Sequence, residues 1–295
     1  MDPVVLFFIL GLAAGLAKAE IRLPSAIYEF LSAVLLLTIG LKGGVELAKQ
    51  NVWTLTPQVM LVILMGIVIP FIAYPALRFF GRFNRADSAS IAAHYGSVSV
   101  ATYAVAVAYL FSRNIAFEEY MAVFMVVLEM PAIIVGVIMA KGISKNTQWG
   151  TLCHEVFLGK SIVLLMGGLL IGWVAGPAAI APISPFFFDL FKGILSLFLL
   201  EMGLIAASQV ASLKRYGVVL IAFGILMPLI NSVIGTLLGI WMGLSLGGVI
   251  IMGTMAASAS YIAVPAAMRI SVPEANPALS LAGALGVTFP FNVII

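Results

Sequence analysis

Long apolar runs separated by short polar breaks set the pattern of this chain. A helix crosses the hydrocarbon of a bilayer in about 20 mostly apolar residues. Windows of that length, or slightly short of it, recur near 3–17, 27–48, 57–80, 88–111, 118–140, 160–176, 187–210, 217–241, 246–268 and 276–295. The pattern predicts an all-α polytopic membrane protein with ten transmembrane segments. The last window runs to Ile295, so a native chain continuing past that residue is left open. The first, MDPVVLFFILGLAAGLAKAE, has the outline of a signal peptide, with Ala17-Lys18-Ala19 in place of a cleavage site. Signal peptides carry positive charge before the apolar stretch, whereas here Asp2 stands alone. It is read as the first span.

The second half of the chain echoes the first. "GIVIP" at 66–70 answers "GILMP" at 224–228, "SVS" at 97–99 answers "SAS" at 258–260, and "LEMP" at 128–131 answers "VTFP" at 287–290. "IGLKGG" at 39–44 has a weaker echo in "MGLIAA" at 202–207, and every offset lies near 160 residues. The boundary then falls between 1–145 and 146–295, with five spans in each half. Because five is odd, the second half enters the membrane from the opposite side, and the expectation is two inverted five-helix repeats. Inverted repeats with segments interrupted by Gly or Pro at matching positions mark secondary transporters and point to their binding sites.

Hydroxyl residues interrupt the fourth and ninth windows at matching places. Residues two apart in Ser-x-Ser share a side only where the chain is extended, since on a helix they point about 200° apart. Gly96 precedes the first cluster and Pro265 follows the second, and both residue types belong at helix interruptions. Helices four and nine are therefore expected to be broken. Unwound backbone survives at membrane depth only where it is buried in protein or lines a cavity. Its N–H end attracts an anion, while carbonyls and hydroxyls suit a small hard cation. The competing explanation is that these hydroxyls bond to their own helix carbonyls or join neighbouring helices. The symmetric pairing favours a site.

Glu129 lies mid-span, where a carboxylate is costly and points to function. Pro131 frees the Val127 carbonyl one turn back, so together they suit a cation site or a proton relay; a protonated Glu satisfied by a neighbouring helix is the structural alternative. Lys42 and Glu46, spaced i, i+4, are read as a snorkelling ion pair. Glu201 is assigned a structural use. Asn231, three residues after Pro228, either caps freed carbonyls or touches ligand. His94 and Tyr103 are read as packed rings, and His154 falls in the linker. No metal-ligand spacing, nucleotide loop or nucleophile–base pair is present, so the chain is not read as an enzyme.

Composition agrees: 63% of residues are hydrophobic and 9% charged, against roughly 25% charged in soluble domains. The net charge of +3 follows from membrane topology rather than nucleic-acid binding. Loops rich in Lys and Arg stay cytoplasmic. One set of loops holds Lys18, Arg22, Arg78, Arg82, Arg85, Lys141, Lys145, Lys160, Lys214, Arg215 and Arg269; the other holds Lys49 and Arg113, with Lys42 and Lys192 near span ends. Both termini are expected outward. Cys153, the single cysteine, then lies in a cytoplasmic loop, where no disulfide is expected.

At these residues the sequence resembles the sodium-dependent bicarbonate transporters of the SbtA type, including homologues outside cyanobacteria. The likeness runs along nearly the whole chain through "IGLKGG" at 39–44, Gly96 with Val98, Ser99 and Thr102, "SLGGV" at 245–249, "AAS" at 256–258, Ser260, Pro265, Arg269 and "P-x-ANP" at 273–277. The resemblance implies a gate or scaffold domain from 1–50 and 160–212, a core domain from 55–140 and 217–295, and usually a homotrimer in the inner membrane. It places bicarbonate and sodium where broken helices four and nine cross. The substrate-binding candidates are Gly96, Ser97, Ser99, Ala257, Ser258 and Ser260. The cation-binding candidates are Ser99, Thr102, Glu129 and Ser260, with sodium co-transported and no organic cofactor. The cyanobacterial pattern has an aspartate where this chain has Tyr261, and another where it has Glu129. Residues 141–159 are too short for the middle segment linked to regulation by a small PII-like protein. Two other readings stay open: a sodium- or proton-coupled transporter of a small organic monocarboxylate, and a non-transporting anion sensor.

Overall fold

In a computed structural model, which describes residues 2–21, 23–49, 52–142, 150, 154 and 157–295, the described residues form helices and no strands. Arg22, Lys145 and Cys153, on which parts of the topology reading rest, lie outside the described residues. In chain order the helices are α1 (Pro3–Leu16), α2 (Ser25–Leu47), α3 (Thr56–Phe79), α4 (Arg85–Gly96), α5 (Val100–Ser112), α6 (Met121–Leu128) and α7 (Pro131–Lys141). They continue as α8 (Lys160–Ile180), α9 (Phe191–Trp241), α10 (Leu246–Ala257), α11 (Ala263–Ser271), α12 (Pro277–Gly283) and α13 (Phe289–Ile294). Eight helical segments among the described residues are long and apolar enough to cross a membrane, while Pro3–Leu16 and Leu246–Ala257 are apolar but shorter. The chain is a multi-pass membrane protein, and large side chains such as Phe71, Val174, Val218 and Leu237 remain exposed on helix surfaces where lipid would cover them.

Local chemistry explains most helix starts. Asp2 caps α1 by accepting from the Val4 N–H at 2.9 Å, with Pro3 in the first turn. Asn84 caps α4 through the Asp87 N–H at 2.8 Å, and Ser245 caps α10 through the Gly248 N–H at 3.2 Å. Pro131, without an N–H to donate, occupies the first turn of α7 and separates it from α6 at Glu129 and Met130. The windows at 187–210 and 217–241 are the two arms of α9, separate spans that meet at Gly217, whose φ of 81° breaks the helix there. The intervening polar residues sustain a helix; a positive φ that a glycine adopts without strain makes the turn.

Two helix pairs pack backbone to backbone. A β-carbon on Gly44 of α2 would meet the Leu169 carbonyl of α8, and one on Gly172 would meet the Leu41 carbonyl in return. Between α1 and the first arm of α9 the same exchange occurs, with Gly11 against the Leu200 carbonyl and Gly203 against the Phe8 carbonyl. Small residues at such contacts let helices approach this closely, which matters in lipid because apolar surface gains nothing there from leaving water. The remaining helices enclose α4 between α3 and α7 and set α10 against the second arm of α9.

Gly44→Ala places its new methyl against backbone that cannot turn aside, so it is expected to cost about 1–3 kcal/mol. Gly193→Ala, in α9 with open space where its β-carbon would go, is expected to be neutral or stabilising by roughly 0.4–1 kcal/mol. Thermal unfolding of the two purified variants separates these outcomes, and equal midpoints would mean that the α2–α8 contact is not close-packed.

Candidate functional site

The two Ser-x-Ser stretches are extended and lie against each other. α4 ends at Gly96, Ser97 has φ −97° and ψ −174°, Ser99 has φ −105° and ψ 116°, and α5 begins at Val100. α10 ends at Ala257, Ser258 has φ −79° and ψ 164°, and α11 begins at Ala263. The Ser99 N–H donates to the Ser258 hydroxyl at 2.9 Å, and the Ser260 N–H donates to the His94 carbonyl at 2.8 Å. The start of α5 thus meets the end of α10, and the residue leading into α11 meets the last turn of α4. Backbone that left its helix recovers partners across the crossing, at 0–3% exposure for Ser97, Ser99, Ser258 and Ser260.

Each expected residue has a definite place there. Gly96 leaves no room for a side chain, because a β-carbon would stand 2.6 Å from Pro70 Cδ and 2.8 Å from Ala132 Cβ. Ser97 Oγ donates to the Glu129 carbonyl at 3.4 Å. Ser99 Oγ accepts from the Thr102 N–H at 3.2 Å and the Thr102 hydroxyl at 3.0 Å, which caps α5. Ser258 Oγ donates to the Met255 carbonyl at 2.7 Å, while Ser260 Oγ receives only a 3.5 Å contact from the Val264 N–H. The Ala257 carbonyl accepts from Asn292 Nδ2 at 2.9 Å. Glu129 is 2% exposed, and its Oε2 has no hydrogen-bond partner. An ionised carboxylate there needs a cation, and a neutral one needs a proton.

The surrounding polar groups divide into settled and unsettled ones. His94 is packed, its Nδ1 on the Ser90 carbonyl at 2.7 Å and its Nε2 unpaired. Asn231, fully buried, donates to the Tyr95 carbonyl at 3.4 Å while its Oδ1 is unpaired. It caps a carbonyl, although that of α4 rather than one freed by Pro228. Tyr261 packs edge-on against Phe289 at 5.5 Å, its hydroxyl buried and unpaired. Glu201 is half-buried with one unpaired oxygen. Asn292 and Thr288 are not anticipated from the sequence. Thr288 donates to the Gly224 carbonyl at 2.7 Å and so accepts from the Tyr95 hydroxyl at 2.6 Å. The pairing of "LEMP" with "VTFP" puts Thr288 opposite Glu129 and is the signal available for it.

The pairing of Lys42 with Glu46 is not what forms. Glu46 takes Lys49 instead, at 2.8 Å, and the Lys42 ammonium sits over three phenylalanine rings. The i, i+4 spacing allows the first pairing, but aromatic rings from distant segments offer the ammonium a less hydrated seat.

A cavity of about 560 Å³ reaches the crossing at Thr102, Ala257 and Asn292 and opens toward Asp2 and Arg113. Ser99, Ser258, Ser260 and Glu129 lie outside its lining. Its walls are mostly apolar, among them Val105, Ala106, Leu229 and Val293.

A family model described as the Na+-dependent bicarbonate transporter superfamily matches residues 3–295, essentially the whole chain. Comparison with curated proteins gives no match.

Ser258→Ala removes the acceptor of the buried Ser99 N–H, and leaving such a group unpaired costs roughly 1–3 kcal/mol. Ser232→Ala, which deletes an exposed hydroxyl bonded within its own helix, is expected to fall within about 0.5 kcal/mol of wild type. Thermal midpoints measured side by side test this; a Ser258 variant as stable as the Ser232 variant would deny the crossing its structural role.

Proposed function

The chain belongs to the Na+-dependent bicarbonate transporter superfamily, and on that premise we propose that it is a secondary transporter which carries bicarbonate with sodium through the crossing of two broken helices. The observation that carries the reading is the pair of extended, buried Ser-x-Ser stretches that lead into α5 and α11 and are joined by the bond from the Ser99 N–H to the Ser258 hydroxyl. Helix starts attract negative charge through unpaired N–H groups and the helix dipole. The anion site comprises Gly96, Ser97, Ser99, Ala257, Ser258 and Ser260, and sodium takes oxygen from Ser99, Thr102, Ser260 and the unpaired carboxylate of Glu129. Sodium is a hard cation that favours such a donor set.

The same proposal takes the two halves as inverted repeats, with a scaffold from 1–50 and 160–212 and a core from 55–140 and 217–295. The close-packed pairs α1 with α9 and α2 with α8 support a rigid scaffold. Both termini face outward from the cytoplasmic membrane and three copies assemble. One sodium with one bicarbonate moves no net charge, so the sodium concentration gradient drives the step without help from a potential worth about 2.3 kcal/mol per charge per 100 mV. The cavity supports a second substrate reading. Its 560 Å³ lies within the roughly 300–1,000 Å³ of sites that take organic ligands, which favours a small organic monocarboxylate with its tail along Val105 and Leu229.

Uptake of labelled bicarbonate into proteoliposomes is expected to require sodium outside. Uptake of a labelled short-chain carboxylate in its place would transfer the assignment to the second reading. Glu129→Gln keeps shape but removes the charge that offsets the cation's desolvation. Its half-saturating sodium concentration is expected to rise about tenfold or more, the scale of about 1.4 kcal/mol, with anion binding at saturating sodium little altered. Transport driven by a pH gradient and indifferent to sodium would make Glu129 a proton carrier.

Topology has its own test. A reporter active only in the cytoplasm, fused after Ile295, is expected to stay silent, and strong activity would invert the assignment of sides.

A further inference from the structure

The observation that opens a new question is Lys42. Its ammonium stands 4.5 Å from the ring centre of Phe111, 5.2 Å from that of Phe188 and 5.8 Å from that of Phe191. Among the described residues no carboxylate reaches it within salt-bridge distance, since Glu46 is taken by Lys49. Ring faces attract a cation without cancelling its charge, as a contacting carboxylate would. Lys42 is thus held by rings rather than by an ion pair, with the carboxyls of Glu119 and Asp189 the acids in electrostatic reach of it.

Those surroundings form a seam between helices. Lys42 lies on α2 with Phe188 and Phe191 at the start of α9, whereas Phe111 closes α5. Between them is a chamber of about 20 Å³ lined by Ile39, Tyr103, Val107, Phe117, Glu119 and Lys42 itself, enough for about one water and too small for an oxyanion. Burial pushes the Glu119 carboxyl up, and the Lys42 ammonium pulls it back down, so the acid answers the cation across the gap. Tyr103 and Val107 stand about 6 and 12 Å along α5 from Ser99 at 1.5 Å per residue. The chamber thus lies beside α5 one to two turns from its start.

We infer that Lys42 is an anion-receiving gate residue. When the seam opens, Phe111 leaves the ammonium, and a small monovalent oxyanion takes its place before passing along Tyr103 and Val107 to the start of α5. The ring box closes the seam when no anion is in it and keeps the lysine charged and unpaired for the next one. The inference rests on the transport reading for its substrate but not for its electrostatics.

Two measurements separate those parts. In a Cys153→Ser background, Val107→Cys is labelled with methanethiosulfonates carrying either a sulfonate or a trimethylammonium group. The ratio of anionic to cationic labelling rates is expected to fall about tenfold on Lys42→Gln, the low end of what a charge-lined cleft does to local ion concentration, and to be restored by Lys42→Arg. Phe111→Leu is expected to speed labelling by both reagents. In proteoliposomes at saturating sodium, Lys42→Gln is expected to raise the half-saturating bicarbonate concentration several-fold while leaving sodium dependence intact. An unchanged labelling ratio, or an introduced thiol that neither reagent reaches in any variant, overturns the inference. A shifted ratio in a protein that moves no bicarbonate keeps the anion gate and refutes the bicarbonate assignment instead.

Discussion

Backbone polar groups in hydrocarbon must find partners inside the protein, and this requirement organises the crossing. Leaving a helix at membrane depth strands N–H and carbonyl groups at a cost of several kcal/mol each. Here the second stretch supplies the Ser258 hydroxyl to the Ser99 N–H of the first, and the last turn of α4 supplies the His94 carbonyl to the Ser260 N–H. Neither stretch could adopt its conformation alone. The constraint reaches outward, since Gly96 must be bare for Pro70 and Ala132 to close over it, and Asn292 must reach Ala257 to satisfy the end of α10. Asn231 and Thr288 perform related tasks around Tyr95.

Rigidity elsewhere makes such a crossing tolerable. Where glycines bring α1 to α9 and α2 to α8 at backbone contact, the packing is specified by shape, because lipid tails compete equally well for any exposed leucine. Contacts across the seam at Lys42 are of a different kind, with ring faces around an ammonium and a chamber beside them. Such contacts are individually weak, about 0.5–2 kcal/mol, and a surface held by weak contacts is the one that can part.

The helices are largely legible in the sequence because burial in lipid imposes one requirement, apolarity over a fixed length, that reads directly from composition. The extended stretches are legible because Ser-x-Ser makes one surface only off a helix. Partnership is not. Lys42 and Glu46 satisfy the local spacing rule, yet Glu46 finds Lys49 and Lys42 finds rings from segments far along the chain. Glu129 stands out by its cost, and its burial follows, whereas Thr288 at the matching repeat position draws no notice because a threonine at depth is inexpensive.

Charge at the crossing also fixes an order of events on the proposed reading. An unpaired Glu129 carboxylate near the start of α5 opposes an arriving anion through a medium that screens poorly, and two like charges a few ångströms apart at an effective dielectric constant near 20 repel by about 4 kcal/mol. Sodium at Glu129 neutralises the carboxylate and so removes that opposition. The anion then meets a site whose cation is balanced by Glu129 and whose remaining attraction comes from the helix starts. On this reading sodium binds first, because without sodium the buried carboxylate opposes the anion, and with sodium in place the pair is neutral and the helix starts can receive the anion.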